Sequence, residues 1–288
     1  MHADKRGSEI KNPRLSACIR VLPSKCSFLT AEAFAVLGGL LDNDGQKDMF
    51  NEGNAAMIHF ENFTHLTFDC YGTLIDWETG ILRAVKAVLA QHKRSVQDAE
   101  ILQLYAKAEA DEEAGAYQSY RTVLRNVMAR IGTALGFQPI EAELDSLPDS
   151  VGQWPAFPDT VAALKRLQTH YKLVIISNID DALFAESNKL LQVKFDDIIT
   201  AQQVGSYKPA RQNFHFALKR LGVPQSQVLH VAQSLYHDHV PAKELGFTTV
   251  WVNRRSALPN TGVSLPVAVT PDLEVPDMQS LVVAMGLE

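Results

Sequence analysis

The chain has 288 residues, 46% of them hydrophobic and 21% charged, which allows about two globular domains at ~150 residues each and excludes a peptide-sized or disulfide-stapled fold. Lysine and arginine number 27 against 33 acids, a net charge of -6 with no basic block, so nucleic acid is excluded as an expected partner. No run approaches the ~18 consecutive apolar residues of a membrane span, and the 3 scattered cysteines (Cys18, Cys26, Cys70) form no C-x-x-C pair, which fits a reducing, cytoplasmic setting.

Residues 1–60 mix charges, turn formers and one apolar stretch, Phe34 to Leu41, without a sustained period, and read as a poorly ordered extension outside the fold. Between Lys11 and Leu41 the only acid is Glu32, against Lys11, Arg14, Arg20 and Lys25; a mitochondrial transit peptide is the alternative reading. Met57 stands just before the first strand and offers a second start.

His65–Asp69 (HLTFD) reads as a short buried strand whose end carries a carboxylate and a turn at Tyr71-Gly72-Thr73. Long helical patterns follow over Ile81–Gln91, Asp98–Ala114 and Tyr117–Leu135, the last stopped by Gly136. Residues 79–154 are thus expected to form an all-helical insertion, a cap, in a core made of 61–78 and 155–288. A strand-then-helix rhythm resumes with a helix over Thr160–His170 and a strand over Lys172–Ile176. A helix from about Asp181 to Leu191, a strand at Asp197–Thr200 and a helix at Pro209–Leu221 come next. Strands at Val228–Ala232 and Thr248–Val252 flank a helix over about His239–Leu245. This alternation predicts an α/β fold, a Rossmann-like, mostly parallel sheet covered on both faces, with the ligand site beyond the carboxyl ends of the strands.

The residues at those ends are Asp69, Tyr71, Gly72 and Thr73; Ser177 and Asn178; Lys208; and Gln233, Ser234 and Asp238. Singly, each has an ordinary explanation: a turn-capping acid, helix-initiating small polar residues, a surface lysine. Their convergence on one sheet edge points to a site.

In order, Phe68-Asp69-Cys70-Tyr71-Gly72-Thr73-Leu74, Ile176-Ser177-Asn178, Tyr207-Lys208-Pro209 and Val231 through Asp238 resemble the four motifs of the haloacid dehalogenase superfamily. The Asp-x-Tyr-Gly-Thr form, the insertion directly after it and the tail Trp251-Val252-Asn253-Arg254 are most similar to its L-specific 2-haloacid dehalogenases. The resemblance spans about Thr64 to Arg254.

It implies a hydrolase that displaces halide from short 2-haloalkanoic acids through an aspartyl ester, with Asp69 as nucleophile and a small anionic molecule as substrate. Lys208 would keep Asp69 ionised and Asp238 would partner Lys208 and orient the hydrolytic water. Thr73 would fix the nucleophile loop, while Tyr71, Ser177, Asn178 and Ser234 would contact substrate, Ser177 and Asn178 holding its carboxylate with backbone amides at a helix N-terminus. A homodimer is a further implication. The superfamily's phosphatases instead use a second aspartate two residues after the first and Mg²⁺ held partly by acids of the fourth motif. Here Tyr71 and Gln233 stand at two of those positions, and no metal or other cofactor is expected. A Mg²⁺-dependent phosphatase and a catalytically drifted binding protein are the alternatives.

The sequence departs from the dehalogenase pattern in three places. No insertion arginine matches the one that faces the halide, Arg121 and Arg125 being the nearest but expected on a solvent face. Phe214 replaces a tyrosine, and Gln233-Ser234-Leu235 replaces Ser-Ser-Asn. His237-Asp238-His239 lacks a third ligand for zinc, Cys70 reads as a packed thiol, and the acidic run Glu109–Glu113 reads as a solvated helix face.

Overall fold

The computed structural model describes residues 58–256 and 267–288, so the expected N-terminal extension lies, except for 58–60, outside the described residues. Strand β1 (His65–Phe68) leads into the helices α1 (Trp77–Gln91), α2 (Asp98–Glu113), α3 (Tyr120–Ala134), α4 (Glu141–Leu144) and α5 (Ser146–Ser150). Helix α6 (Thr160–Leu167), β2 (Lys172–Ser177), α7 (Asp181–Leu191), β3 (Asp197–Thr200), α8 (Ala201–Val204), α9 (Gln212–Leu221) and β4 (Val228–Ala232) follow. The chain closes with α10 (Val240–Glu244), β5 (Thr248–Val252), β6 (Leu273–Val275) and α11 (Met278–Ala284).

The strands form one 6-stranded sheet in the order β3-β2-β1-β4-β5-β6. Every pairing is parallel, which confirms the α/β class. All four residues of β1 and all five of β4 are buried, as strands covered on both faces require. On one face, Leu66, Phe68 and Val231 join a large apolar cluster; on the other, Val174, Ile176 and Phe214 anchor a second. Chain order reverses beside β1, so β1, β2 and β4 bring their carboxyl ends to one crevice.

Strand β6 and helix α11 were not anticipated. Three residues, Leu-Glu-Val, carry too little alternation to mark a strand; β6 owes its place to register with β5, where Val250 opposes Leu273. Helix α9 begins at Gln212 rather than at Pro209.

The stretch between β1 and α6 is helical throughout its regular elements. Its two chain crossings lie together: Asp76 N donates to Pro155 O at 2.8 Å, and Ile75 bridges Ala156. Helices α2 and α3 pack on each other, with Tyr105 Oη 3.1 Å from Tyr120 Oη, and bury Ile101 and Leu102 on α2 and Val123 and Leu124 on α3. Gly80 on α1 allows the closest approach, because a β-carbon there would stand 2.2 Å from the Trp154 indole. No described helix is long and apolar enough to cross a membrane.

Candidate active site

Strand β1 ends at Phe68, and the next residue, Asp69, has its backbone fixed by donation from its N–H to Val231 O at 3.2 Å. The chain then turns at Gly72, whose φ of +95° suits glycine, and brings Thr73 back over the carboxylate. Thr73 Oγ1 donates to Asp69 Oδ2 at 2.8 Å and accepts from Gln233 N at 2.9 Å, tying the first strand end to the fourth. The loop is clamped from behind by Arg254, whose guanidinium donates to Thr73 O at 2.7 Å and pairs with both oxygens of Asp159 at 2.8 Å.

The other oxygen of Asp69 accepts from Lys208 Nζ at 2.9 Å. Lys208 also donates to Asp238 Oδ1 at 2.7 Å and to Ile176 O at 2.9 Å, so the three donors of its ammonium are all engaged. With Lys208 only 2% exposed, its charge is sustained by the two carboxylates, which hold it above the ordinary lysine range against the opposing effect of burial. Asp238 is buried too, yet Lys208 and His230 hold its carboxyl well below the usual aspartate range. Asp69 behaves differently from expectation. Burial raises its pKa, Lys208 only offsets this, and the nearby Asp238 charge raises it further.

Sequence reasoning missed His230. It sits inside β4 with Nε2 3.0 Å from Asp238 Oδ1 and Nδ1 2.9 Å from Thr67 Oγ1. Phe214 packs its ring edge-to-face on this imidazole at 5.1 Å and lies outside the cavity, so the tyrosine-to-phenylalanine departure is filled by an apolar contact that supports His230. A histidine in the apolar run Val-Leu-His-Val-Ala was the available signal, since a buried imidazole requires partners.

Above these groups lies a cavity of about 120 Å³, room for a small molecule. Asp69, Tyr71, Ser177, Asn178, Lys208, Ser234 and Asp238, all expected at the site, line it. Thr73 supports it from beneath. Ser177 Oγ and Asp238 Oδ2 are buried and have no hydrogen-bond partner, which leaves both for whatever fills the cavity. Tyr71 Oη is engaged with Ser187 Oγ at 2.8 Å, so the tyrosine offers its ring rather than its hydroxyl. Asn178 is likewise committed: Oδ1 accepts from Lys208 N at 2.7 Å and Nδ2 donates to Lys208 O at 3.0 Å and to Glu113 Oε2 at 3.4 Å.

The helical insertion closes the cavity with Trp77, Tyr105, Glu109, Glu113, Tyr120 and Trp154. This corrects the expectation of a solvated acidic run: Glu109 and Glu113, four residues apart on α2, face inward, while Asp111 is exposed. Glu109 Oε1 accepts from Tyr105 Oη at 2.9 Å and from Tyr120 Oη at 2.5 Å. Arg121 and Arg125 are absent from the lining; Arg121 pairs with Asp149 at 2.9 Å and Arg125 with Glu141 at 2.5 Å. The amides of Tyr120 and Arg121 that open α3 donate to Asp180 at 2.9 and 2.8 Å, so that helix N-terminus already holds a carboxylate.

The donor set fits Mg²⁺ poorly. Both Asp69 oxygens and one Asp238 oxygen are engaged, an amide stands at Gln233, and the described residues hold no group of three or more acids, histidines or cysteines able to share a metal. His239 Nε2 donates to Ala232 O at 3.0 Å, which separates it from His237 and Asp238 as a ligand.

A family model described as haloacid dehalogenase-like hydrolase matches residues 63–238. An (S)-2-haloacid dehalogenase of Pseudomonas fluorescens is 25% identical over 204 residues, 68% of this chain and 87% of its own. A glyceraldehyde 3-phosphate phosphatase of Methanocaldococcus jannaschii is 33% identical over 99 residues, 33% of this chain and 42% of its own. In fold, the chain is similar to the L-2-haloacid dehalogenase of Xanthobacter autotrophicus, with a TM-score of 0.65 at 23% identity over 77% of this chain and 98% of the other.

Proposed function

The chain belongs to the haloacid dehalogenase-like hydrolases, and from that premise we propose that it hydrolyses carbon–halogen bonds of short 2-halo acids through an ester on Asp69. A carboxylate oxygen of Asp69 attacks the sp³ carbon as the carbon–halogen bond breaks, and halide leaves with the bonding pair. Water then adds to the Asp69 carboxyl carbon, releasing a 2-hydroxy acid and regenerating the carboxylate. Asp238, whose Oδ2 has no hydrogen-bond partner, accepts that water's proton in this reading. Lys208 orients Asp69 and balances its charge, Thr73 fixes its second oxygen, and Ser177 Oγ is the donor left for the substrate. Closure by the helical insertion, acting as a cap, keeps bulk water from the displacement step.

The observation that carries this reading is the engagement of Asp69 and Asp238 by one buried ammonium. Lys208 takes the oxygens a cation would need, and Tyr71 supplies no acid for a phosphoryl leaving group. The reading is accordingly of a reaction without a metal.

The test is halide release from racemic 2-chloropropionate by the wild type and Asp69→Asn, each with EDTA and with added Mg²⁺. Release that survives EDTA and vanishes in Asp69→Asn supports the reading. No release from any short 2-halo acid, or turnover of phosphate esters that requires Mg²⁺, overturns it.

A further inference from the structure

Four carboxylates line the cavity, Asp69, Glu109, Glu113 and Asp238, against the lone ammonium of Lys208 among its described lining residues. His237, also in the lining, adds no positive charge at neutral pH, since burial lowers its pKa to about 4. Lys208 is saturated by Asp69, Asp238 and Ile176 O and acts on Glu113 only through space, so no cation among the lining residues pairs directly with Glu109 or Glu113. A substrate carboxylate alone would add a further anionic group beside acids that no lining cation pairs with, at short range, where little water screens it.

Glu109 and Glu113 belong to the last two turns of α2, whose C-terminal end carries partial negative charge and favours a cation. Both buried phenols beside Glu109 have their pKa raised well above the ordinary value, so they act as donors and Glu109 as the acceptor. Burial pushes both glutamate pKa values up, and Glu109's charge pushes Glu113 further; a bound cation would relieve each of these penalties. The same cavity is lined by the aromatic rings of Tyr105, Tyr120, Trp77 and Trp154, a ring type whose faces attract alkylammonium groups.

From this arrangement we propose that the substrate bears an ammonium group, seated against Glu109 and Glu113 inside the aromatic wall of the cavity. The preferred halo acid is then an amino-substituted one, with its carboxylate toward Ser177 and its ammonium toward α2. The proposal rests on the halo acid reading only for the reacting carbon. The ammonium site itself is independent of which bond is broken.

Titration of the full chain with propylammonium chloride and with sodium propionate, read by the fluorescence of Trp77 and Trp154, tests the site without chemistry. Saturable binding of propylammonium with no saturable binding of propionate is expected. Glu109→Gln and Glu113→Gln should each weaken it about tenfold or more, the usual scale for losing a charged hydrogen-bond partner. Propionate binding in place of propylammonium, or unchanged affinity in both folded variants, overturns the proposal. In a parallel arm, halide release is compared between 2-chloropropionate and 4-amino-2-chlorobutanoate. A kcat/KM higher by about tenfold or more for the amino acid, reduced toward parity by Glu113→Gln, supports it. Release with equal or better kcat/KM from 2-chloropropionate overturns the ammonium site and leaves the dehalogenase reading standing. Propylammonium binding without halide release from either compound does the opposite.

Discussion

Lys208 Nζ lies 2.9 Å from Asp69 Oδ1, and the two side chains are only 2% and 9% exposed. An ion pair this deep is costly to break. Removing the ammonium would leave Asp69 and Asp238 as uncompensated neighbours, one of which must take up a proton. Lys208→Met is therefore expected to lose ~3–5 kcal/mol of stability by denaturant unfolding and to abolish turnover. A variant with wild-type stability and activity would remove Lys208 from the account.

The Asp69 pKa has a kinetic consequence. The reaction needs Asp69 ionised, and burial raises its pKa above the ordinary aspartate value in spite of Lys208. The rate should accordingly fall as pH falls through a value above the ordinary aspartate range, seen as an acid limb in kcat/KM. Thr73→Val, which removes a hydrogen bond to the ionised form, should move that limb to higher pH.

Gly80 is where packing leaves no room for a methyl group. Its added β-carbon would meet the Trp154 ring at 2.2 Å, and that indole is held by donation from Nε1 to Ser150 Oγ at 2.8 Å and edge-to-face contact with Tyr71 at 5.7 Å. Gly80→Ala should cost ~1–3 kcal/mol through overpacking. Because Trp154 lines the cavity, KM should rise as well, which steady-state kinetics would show.

His239 makes stability depend on pH. Nδ1 is buried without a partner, and burial lowers the ring's pKa from 6.5 to about 4 against the opposing effect of the bond from Nε2 to Ala232 O, so the ring is held neutral. Between those values the unfolded chain binds a proton that the folded chain does not, and stability must fall as pH is lowered. His239 should contribute a loss on the order of 1–3 kcal/mol between neutral pH and pH ~4.5, with a similar share from His237, and His239→Gln should remove the His239 share in thermal melts.

Much of this was legible in the sequence because the strands covered on both faces are short apolar runs, and the chemistry stands just past them. Asp69, Ser177, Lys208 and Asp238 were found that way, and they converge. The orientation of α2 was not legible. Glu109 and Glu113 look like a solvated run until the packing of Tyr105 on Tyr120 turns that helix, and the four-residue spacing then brings both acids inward. His230 escaped for a related reason: a polar residue in a buried strand declares itself only when its partners arrive, Thr67 from β1 and Asp238 from the helical turn after β4. Strand β6 is defined by register alone.

The central claim is that Asp69 itself joins the substrate, and a single turnover in heavy-oxygen water tests it most directly. With enzyme in excess over a halo acid substrate and EDTA present, the account predicts that the hydroxy acid from the first turnover carries ordinary oxygen donated by Asp69. Mass spectrometry of the peptide containing Asp69 should then find the heavy label in its carboxylate. Heavy oxygen in the first-turnover product, with Asp69 unlabelled, would show that water attacks the carbon directly and would contradict the ester mechanism.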